Sequence, residues 1–82
     1  MEVTLEPKTR HGKNRLAEIR FVDPDWHGRW QIVSVAERVS FAPGKRGPWY
    51  LLVPLCSEGP FNFMQRWVHA SDDTDFNLRP NG

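Results

Sequence analysis

Residues 38–55 read RVSFAPGKRGPWYLLVPL and contain the clearest structural pattern in the chain. Two apolar segments, 38–41 and 48–55, flank a polar loop that contains two glycines and a proline. This arrangement is typical of a β-hairpin. In the second segment, large apolar side chains occupy both alternating faces of a strand. This predicts that the strand is covered on both sides near the centre of the fold.

Outward from this hairpin, short apolar segments recur between proline, glycine and aspartate residues. Such spacing favours strands and turns over long helices. Besides the hairpin, strands are predicted at 3–5, 29–35, 65–69 and 74–79. Chain reversals are predicted at 23–25 and 70–73, and a bulge or turn at 36–38.

The segment 14–22 is ambiguous, because its apolar residues fit either one turn of a helix or a half-buried strand. We expect extended structure with a turn there. The segments together predict a mainly β fold, either a small barrel or a strongly curled antiparallel sheet, with an SH3-like barrel as the first choice because closure protects strand edges. An OB-like barrel, or a sheet with one short helix near residues 14–21, is the alternative.

The length of 82 residues predicts a single domain that spans residues 1–82. Four Trp, five Phe and one Tyr supply much of the core that so short a chain needs. Cys56 is the only cysteine, so an intrachain disulfide cannot form and a reducing compartment fits best. Segment 1–15 contains no apolar run that suits a signal peptide or membrane span. We therefore expect a cytoplasmic protein without a membrane partner.

The charges are unevenly distributed, although the formal net charge is only +1. Between Lys8 and Arg20 there are five basic residues and one acid, whereas 71–82 contains three acids and one base. We expect a flexible basic N-terminal arm over about residues 7–15 and a C-terminal tail over about residues 79–82. Because the net charge is small, electrostatic attraction of a partner has to come from this local segment.

The basic arm and nearby aromatic residues form the predicted binding surface. Lys and Arg neutralise phosphate groups, and Trp and Arg are enriched among the residues that dominate protein interfaces. The candidate binding residues are Lys8, Arg10, Lys13, Arg15, Trp26, Arg29, Lys45 and Arg46. The alternative interpretation is a solvated arm without a binding role, with the tryptophans inside the core.

No metal, cofactor or catalytic site is predicted. The spacing of His11, His27, His69 and Cys56 matches none of the usual zinc patterns. The aspartates within 72–75 lack the glycine and glutamate of a calcium loop and are interpreted as a turn. Cys56 follows an apolar strand and is interpreted as a small buried hydrophobe, and a domain of this size has little room for a substrate cleft. We therefore expect a protein that is not an enzyme.

Three segments carry a resemblance to known proteins: KTRHGKNRL at 8–16, GPWYLLVP at 47–54 and RWVHASDDTDF at 66–76. They look like parts of small proteins that bacteriophages and prophages encode, although no named family is matched. The resemblance implies a small accessory protein in a bacterial host cytoplasm, where such proteins act by covering a host protein or nucleic-acid surface. It transfers no functional residue, because no motif with an assigned role is matched.

Three functions fit this pattern. The first is a non-enzymatic accessory protein of phage type, an inhibitor or regulator that binds a host or phage protein or nucleoprotein. The second is a β-barrel that binds nucleic acid directly, with the Lys and Arg side chains of the candidate set on phosphates. The third is a small structural or virion-assembly protein whose edge strand pairs with a neighbour.

Overall fold

The structure, a computed structural model, describes residues 1–81, apart from the side chains of Pro60 and Phe63. One helix, α1 (Arg10–Val22), follows the first strand, and a short 3-10 helix covers Asn62–Met64. The strands are β1 (Glu2–Pro7), β2 (Arg29–Ala36), β3 (Trp49–Cys56), β4 (Gly59–Pro60), β5 (Arg66–His69) and β6 (Phe76–Pro80). The expectation of a mainly β fold is therefore confirmed.

Five strands form one antiparallel sheet in the order β5-β3-β2-β1-β6, and the short β4 pairs with the end of β3. Residues 70–75 connect the two edge strands, β5 and β6, so the sheet has to curl. Arg66 in β5 lies 3.7 Å from the Asp75 carboxylate and 4.8 Å from the ring centre of Phe76 in β6. Among residues 1–81, no backbone pairing joins β5 directly to β6. The result is a strongly curled sheet with one helix, and not a closed SH3-like or OB-like barrel.

The predicted hairpin is correct in its second strand and wrong in its first. β3 pairs with β2, and 38–41 lies in the connection between these two strands. A 2.7 Å hydrogen bond from the Gly47 amide to the Glu37 carbonyl closes the neck of this connection. The predicted bulge or turn at 36–38 is present as a bend, because β2 ends at Ala36 and the chain bends at Glu37, while a separate register shift lies within β2, between Ile32 and Ser34. Since β2 ends at Ala36, Glu37 lies beyond the strand, and its side chain does not have to follow the alternation of faces along β2.

The segment 14–22 is helical, so the expectation of extended structure there is wrong. Helix α1 begins after Thr9, whose hydroxyl oxygen accepts a hydrogen bond from the Gly12 amide at 3.1 Å. It ends before Pro24, because a residue that precedes proline is disfavoured in the helical region. The buried face consists of Gly12, Leu16 and Ile19. Because that face carries only two large apolar side chains, the helical period is faint in the sequence.

The core lies between α1 and one face of the sheet. Ile19 of the helix is fully buried, and so are side chains from the main strands: Val3, Trp30, Leu52, Val68 and Phe76. Trp26, in the connection after α1, packs edge-on against Trp30 with the ring centres 5.7 Å apart. The aromatic residues therefore build the core, as their number in the sequence implies.

Residues 7–15 lie within the fold and do not extend from it as an arm. Pro7 ends β1, and Arg10 is the first residue of α1. At the other end, Pro80 is the last residue of β6, and the Asn81 amide donates a 3.1 Å hydrogen bond to the Glu2 carbonyl. Gly82, the last residue of the predicted tail, lies outside the described residues.

Asp23 fastens the end of α1 to the turn after β3. Its carboxylate accepts hydrogen bonds from the Ser57 amide at 2.7 Å and the Ser57 hydroxyl at 3.0 Å. The Asp25 amide donates a third, at 3.3 Å. These bonds, the one from the Ser57 amide above all, outweigh the effect of burial and lower the pKa of Asp23. The ionised form of Asp23 therefore stabilises the folded state.

Acid is expected to remove this stabilisation. In the unfolded chain Asp23 has its ordinary pKa of 3.8, and in the folded state its pKa is lower. The contribution is therefore fully present above pH 3.8 and is lost as the pH falls through the lower, folded pKa. Urea unfolding of the wild type and Asp23→Asn, measured between pH 7 and pH 2, tests this expectation. The gap in unfolding free energy between the two proteins should narrow in acid, and a gap that stays constant contradicts the role of the carboxylate.

Candidate functional site

The structure neutralises most of the predicted binding cations. Three of them pair with carboxylates outside their own neighbourhood in the sequence or across their own connection: Arg29 with Glu2 at 3.3 Å, Lys45 with Asp72 at 3.2 Å and, within 37–48, Arg46 with Glu37 at 3.3 Å. Arg15 pairs with Glu18 of the same helix at 3.7 Å, and the Lys8 ammonium donates to the Asp73 carbonyl at 2.6 Å. The predicted cations therefore do not form one continuous charged surface.

Trp26 is buried, so its predicted place on the binding surface is wrong. Its side chain is 5% exposed, and its indole nitrogen donates a 3.0 Å hydrogen bond to the Arg29 carbonyl. The Arg20 guanidinium covers its ring at 5.3 Å from the ring centre. Because both the apolar and the polar part of the indole are satisfied inside the fold, Trp26 offers no stacking surface to a partner.

The two predicted binding cations that remain unpaired lie on the solvent side of α1. Arg10 and Lys13 are exposed and form no ion pair with any residue of the described chain. Phe21, near the end of the same helix, is 88% exposed. We name the outer face of α1 as the set of exposed residues Arg10, Lys13, Asn14, Ala17 and Phe21. Most of them follow one line along the helix at intervals of three or four residues, so a single partner surface can contact them all.

A second candidate site, which is concave, lies between two connections, 37–48 and 70–75. It is a cavity of about 260 Å³ with the aromatic side chains of Phe41, Trp49 and Trp67 in its lining. Its charged lining consists of two cations and two carboxylates: Lys45, Arg66, Asp73 and Asp75. The sequence prediction did not include this cavity, apart from Lys45. The aromatic and charged residues of RWVHASDDTDF were the available signal.

His69 joins the two connections that form the walls of this cavity. It is 6% exposed, and its Nε2 lies 2.7 Å from the Arg46 carbonyl oxygen. Its Nδ1 accepts hydrogen bonds from the amides of Ser71 at 3.2 Å and Asp72 at 3.1 Å. With Nδ1 an acceptor, Nε2 carries the proton and donates it to the carbonyl. His69 therefore holds the walls together and has no free nitrogen for catalysis.

Lys45 also links the two walls. Its ammonium lies 3.2 Å from the Asp72 carboxylate and 5.7 Å from the ring centre of Trp49. The hydrogen bond and the positive charge of Lys45 lower the pKa of Asp72. The Asp73 carboxylate instead accepts the amides of Asp75 at 3.0 Å and Phe76 at 3.1 Å, which confirms the interpretation of this aspartate as a turn residue.

Arg66 is the least satisfied charged residue of the cavity. Its side chain is 19% exposed and lies 3.7 Å from Asp75 and 4.0 Å from Asp73, both longer than hydrogen bonds. Its Nε is buried and has no hydrogen-bond partner within residues 1–81. Buried polar groups in folded proteins are almost always paired, so an Nε without a hydrogen-bond partner in a guanidinium that lines a cavity needs an explanation.

The described residues form neither a reactive thiol nor a metal site. Burial, with the nearby Asp23 carboxylate, raises the pKa of the Cys56 thiol to about 11, so the reactive thiolate is scarce at neutral pH. In the described part of the chain, no group of three or more His, Cys, Asp or Glu side chains could hold a metal ion. No helix among residues 1–81 is long and apolar enough to cross a membrane.

Comparison with known proteins adds no constraint. No protein-family model, curated protein or solved structure matches the chain. Two surfaces of the molecule therefore indicate its function: the outer face of α1 and the cavity between residues 37–48 and 70–75.

Proposed function

We propose that the protein is a non-enzymatic accessory protein of phage type, and that it inhibits or regulates a host or phage partner by binding it through the outer face of α1. The single observation that carries this proposal is the combination on one helix of free cations and an aromatic ring that is 88% exposed. A side chain of this size left in water contributes almost nothing to folding, whereas aromatic residues and arginine dominate the energetics of many interfaces.

The charges on this face indicate the kind of partner. Arg10 and Lys13 lie near the amino-terminal end of α1, where the helix dipole adds partial positive charge. Phe21 lies near the other end of the helix. We therefore propose a partner protein with an acidic patch beside an apolar pocket, the acidic patch facing Arg10 and Lys13 and the pocket receiving Phe21. Complementary charge speeds association and sets orientation, and burial of the ring supplies affinity.

Direct binding of nucleic acid has less support. Nucleic-acid affinity grows with the number of phosphates that cations neutralise, and Lys45, Arg46 and Arg29 already pair with carboxylates. The stacking surface expected from Trp26 is buried. A protein or a nucleoprotein with an exposed acidic protein surface fits the outer face of α1 better than a bare phosphate backbone does.

Quantitative capture from bacterial lysate tests the proposal. Two variants are compared with the wild type: Arg10→Glu/Lys13→Glu, which reverses both charges, and Phe21→Ala. Each variant should reduce recovery of the same partner about tenfold, which corresponds to about 1.4 kcal/mol of binding free energy. A matched control reverses two exposed cations elsewhere, Arg38→Glu/Arg46→Glu, and should leave recovery unchanged. The partner is then purified, and its Kd for each variant is measured.

Two results contradict the proposal. One is equal recovery of the partner by the wild type and both α1 variants, with their native circular dichroism retained. The other is capture that disappears after nuclease treatment and falls steeply with added salt, because that behaviour identifies phosphate contacts as the source of affinity.

A further inference from the structure

We propose that the cavity between residues 37–48 and 70–75 binds a neutral planar heterocycle with hydrogen-bond donors and acceptors on its edge, as in a nucleobase. This site is separate from the outer face of α1, and the inference does not depend on the proposed function. Four properties of the cavity support this inference: its size, its aromatic lining, its donors without hydrogen-bond partners and its balanced charges.

The size of the cavity fits one ring system. At about 260 Å³ it lies just below the range of roughly 300–1,000 Å³ that is typical of small-molecule sites. An extended cofactor does not fit in this volume. The walls are anchored by the buried ring of Trp49 and by His69, so the cavity belongs to the folded framework and not to a loose loop.

The aromatic lining offers a flat ring a surface on which to stack. Phe41 is 63% exposed, and Trp67 is partly exposed, so both have ring surface available. Phe41 packs edge-to-face against Trp49 with their centres 5.4 Å apart, and its exposure shows that this contact leaves most of the side chain uncovered. Every nucleobase has a π-face, and stacking on aromatic side chains is the usual way in which proteins hold unpaired bases.

The polar lining contains unused donors. The Arg66 Nε has no hydrogen-bond partner within the described chain, and its Nη2 lies 3.7 Å from the Asp75 carboxylate and 4.0 Å from that of Asp73, beyond hydrogen-bond distance. Its planar set of N–H groups suits the carbonyl and ring nitrogen of a heterocycle, and a carboxylate beside it suits an exocyclic amino group. Donors and acceptors therefore lie side by side, as they do along the edge of a base.

The charges disfavour an ionic ligand. Lys45 and Arg66 balance Asp73 and Asp75 in the lining of the cavity. An organic anion would meet the two carboxylates, and an organic cation would meet the ammonium and the guanidinium. A neutral ring with a polar edge avoids both repulsions and can satisfy Arg66 without disturbing its ion pairs.

Titration of the four neutral ribonucleosides, followed by amide chemical shifts, tests this inference. At least one nucleoside should give saturable shifts confined to residues 37–49 and 66–75, with little dependence on salt. Phe41→Ala should weaken binding about tenfold, and Arg66→Gln should do so where it folds. The matched controls are Phe21→Ala and Arg10→Gln, which remove an exposed ring and an exposed guanidinium on α1 and should leave the Kd unchanged.

A second titration, with a short single-stranded RNA, shows whether the base belongs to a strand or to a free nucleoside. Tighter binding of the RNA than of the nucleoside identifies a base within a strand, and equal binding identifies a free nucleoside. Three results overturn the inference: no saturable shifts with any nucleoside, unchanged affinity in Phe41→Ala, or preferential binding of tetramethylammonium or benzoate, the cationic and anionic probes. None of these affects partner capture through α1, so the two proposals fail separately.

Discussion

Replacement of Trp30 by alanine is expected to lower the free energy of unfolding by about 3–5 kcal/mol. Trp30 is completely buried and packs against Trp26 at the centre of the core. The variant therefore loses the burial of a large ring and leaves a cavity that a small sheet cannot fill. A domain of this size has about 4–12 kcal/mol of stability in total, so the substitution removes a large share of it.

Urea unfolding followed by far-ultraviolet circular dichroism measures this effect without relying on the lost fluorophore. The matched control is Phe21→Ala, which removes a ring that is 88% exposed and should change the unfolding free energy by no more than about 0.5 kcal/mol. If the two variants lose similar stability, Trp30 is not at the centre of the core as described here.

Gly12→Ala is expected to destabilise the protein by about 1–3 kcal/mol, through overpacking, although alanine is the better helix former by about 1 kcal/mol. The reason is the close approach of α1 to the connection before β6. A Cβ atom added at Gly12 would lie 2.6 Å from the Asp75 carbonyl oxygen and 3.3 Å from the Phe76 ring. Relief of these contacts requires a shift of the backbone, because the nearer atom belongs to the main chain.

Thermal and urea unfolding of Gly12→Ala and Gly44→Ala form the matched comparison. A Cβ atom at Gly44 meets nothing within 4 Å, so that variant should stay within about 0.5 kcal/mol of the wild type. A gain in stability at Gly12 would show that α1 can move away from Asp75, and would contradict the tight packing described above. Gly12 therefore allows the close approach of another part of the same chain.

The strands could be predicted because their signals are local. Apolar residues on both faces of β3 identify a central strand, and Pro24 and Asp25 identify the reversal before β2. Helix α1 could not be recognised from its apolar period, because a glycine occupies one position of its buried face. Its capping threonine and the following proline were better signals than the pattern of hydrophobic residues.

The binding surface was harder to predict, because ion pairs with carboxylates elsewhere in the sequence decide which cations stay free. A count of basic residues cannot reveal that Glu2, Glu37 and Asp72 neutralise Arg29, Arg46 and Lys45. The free cations at Arg10 and Lys13 did belong to the predicted set. The cavity was missed because its two walls meet only in the folded chain, through the pairing of β3 with β5, the bonds of His69 and the Lys45–Asp72 ion pair.

The pairing of β1 with β6 determines when the domain can be completed during synthesis. Val3 lies opposite Pro80, and the Thr4 hydroxyl bonds to the Asn81 side chain across 77 positions of the chain. Pairing of β1 with β6 closes the longest loop of the sheet and therefore has the largest cost in closure entropy. Strands β2, β3 and β5 are near neighbours along the chain. A ribosome that has released β1, α1 and β2 has released strands that can pair with each other, but the other edge of β1 still lacks its partner. That edge stays open until β6 has been made.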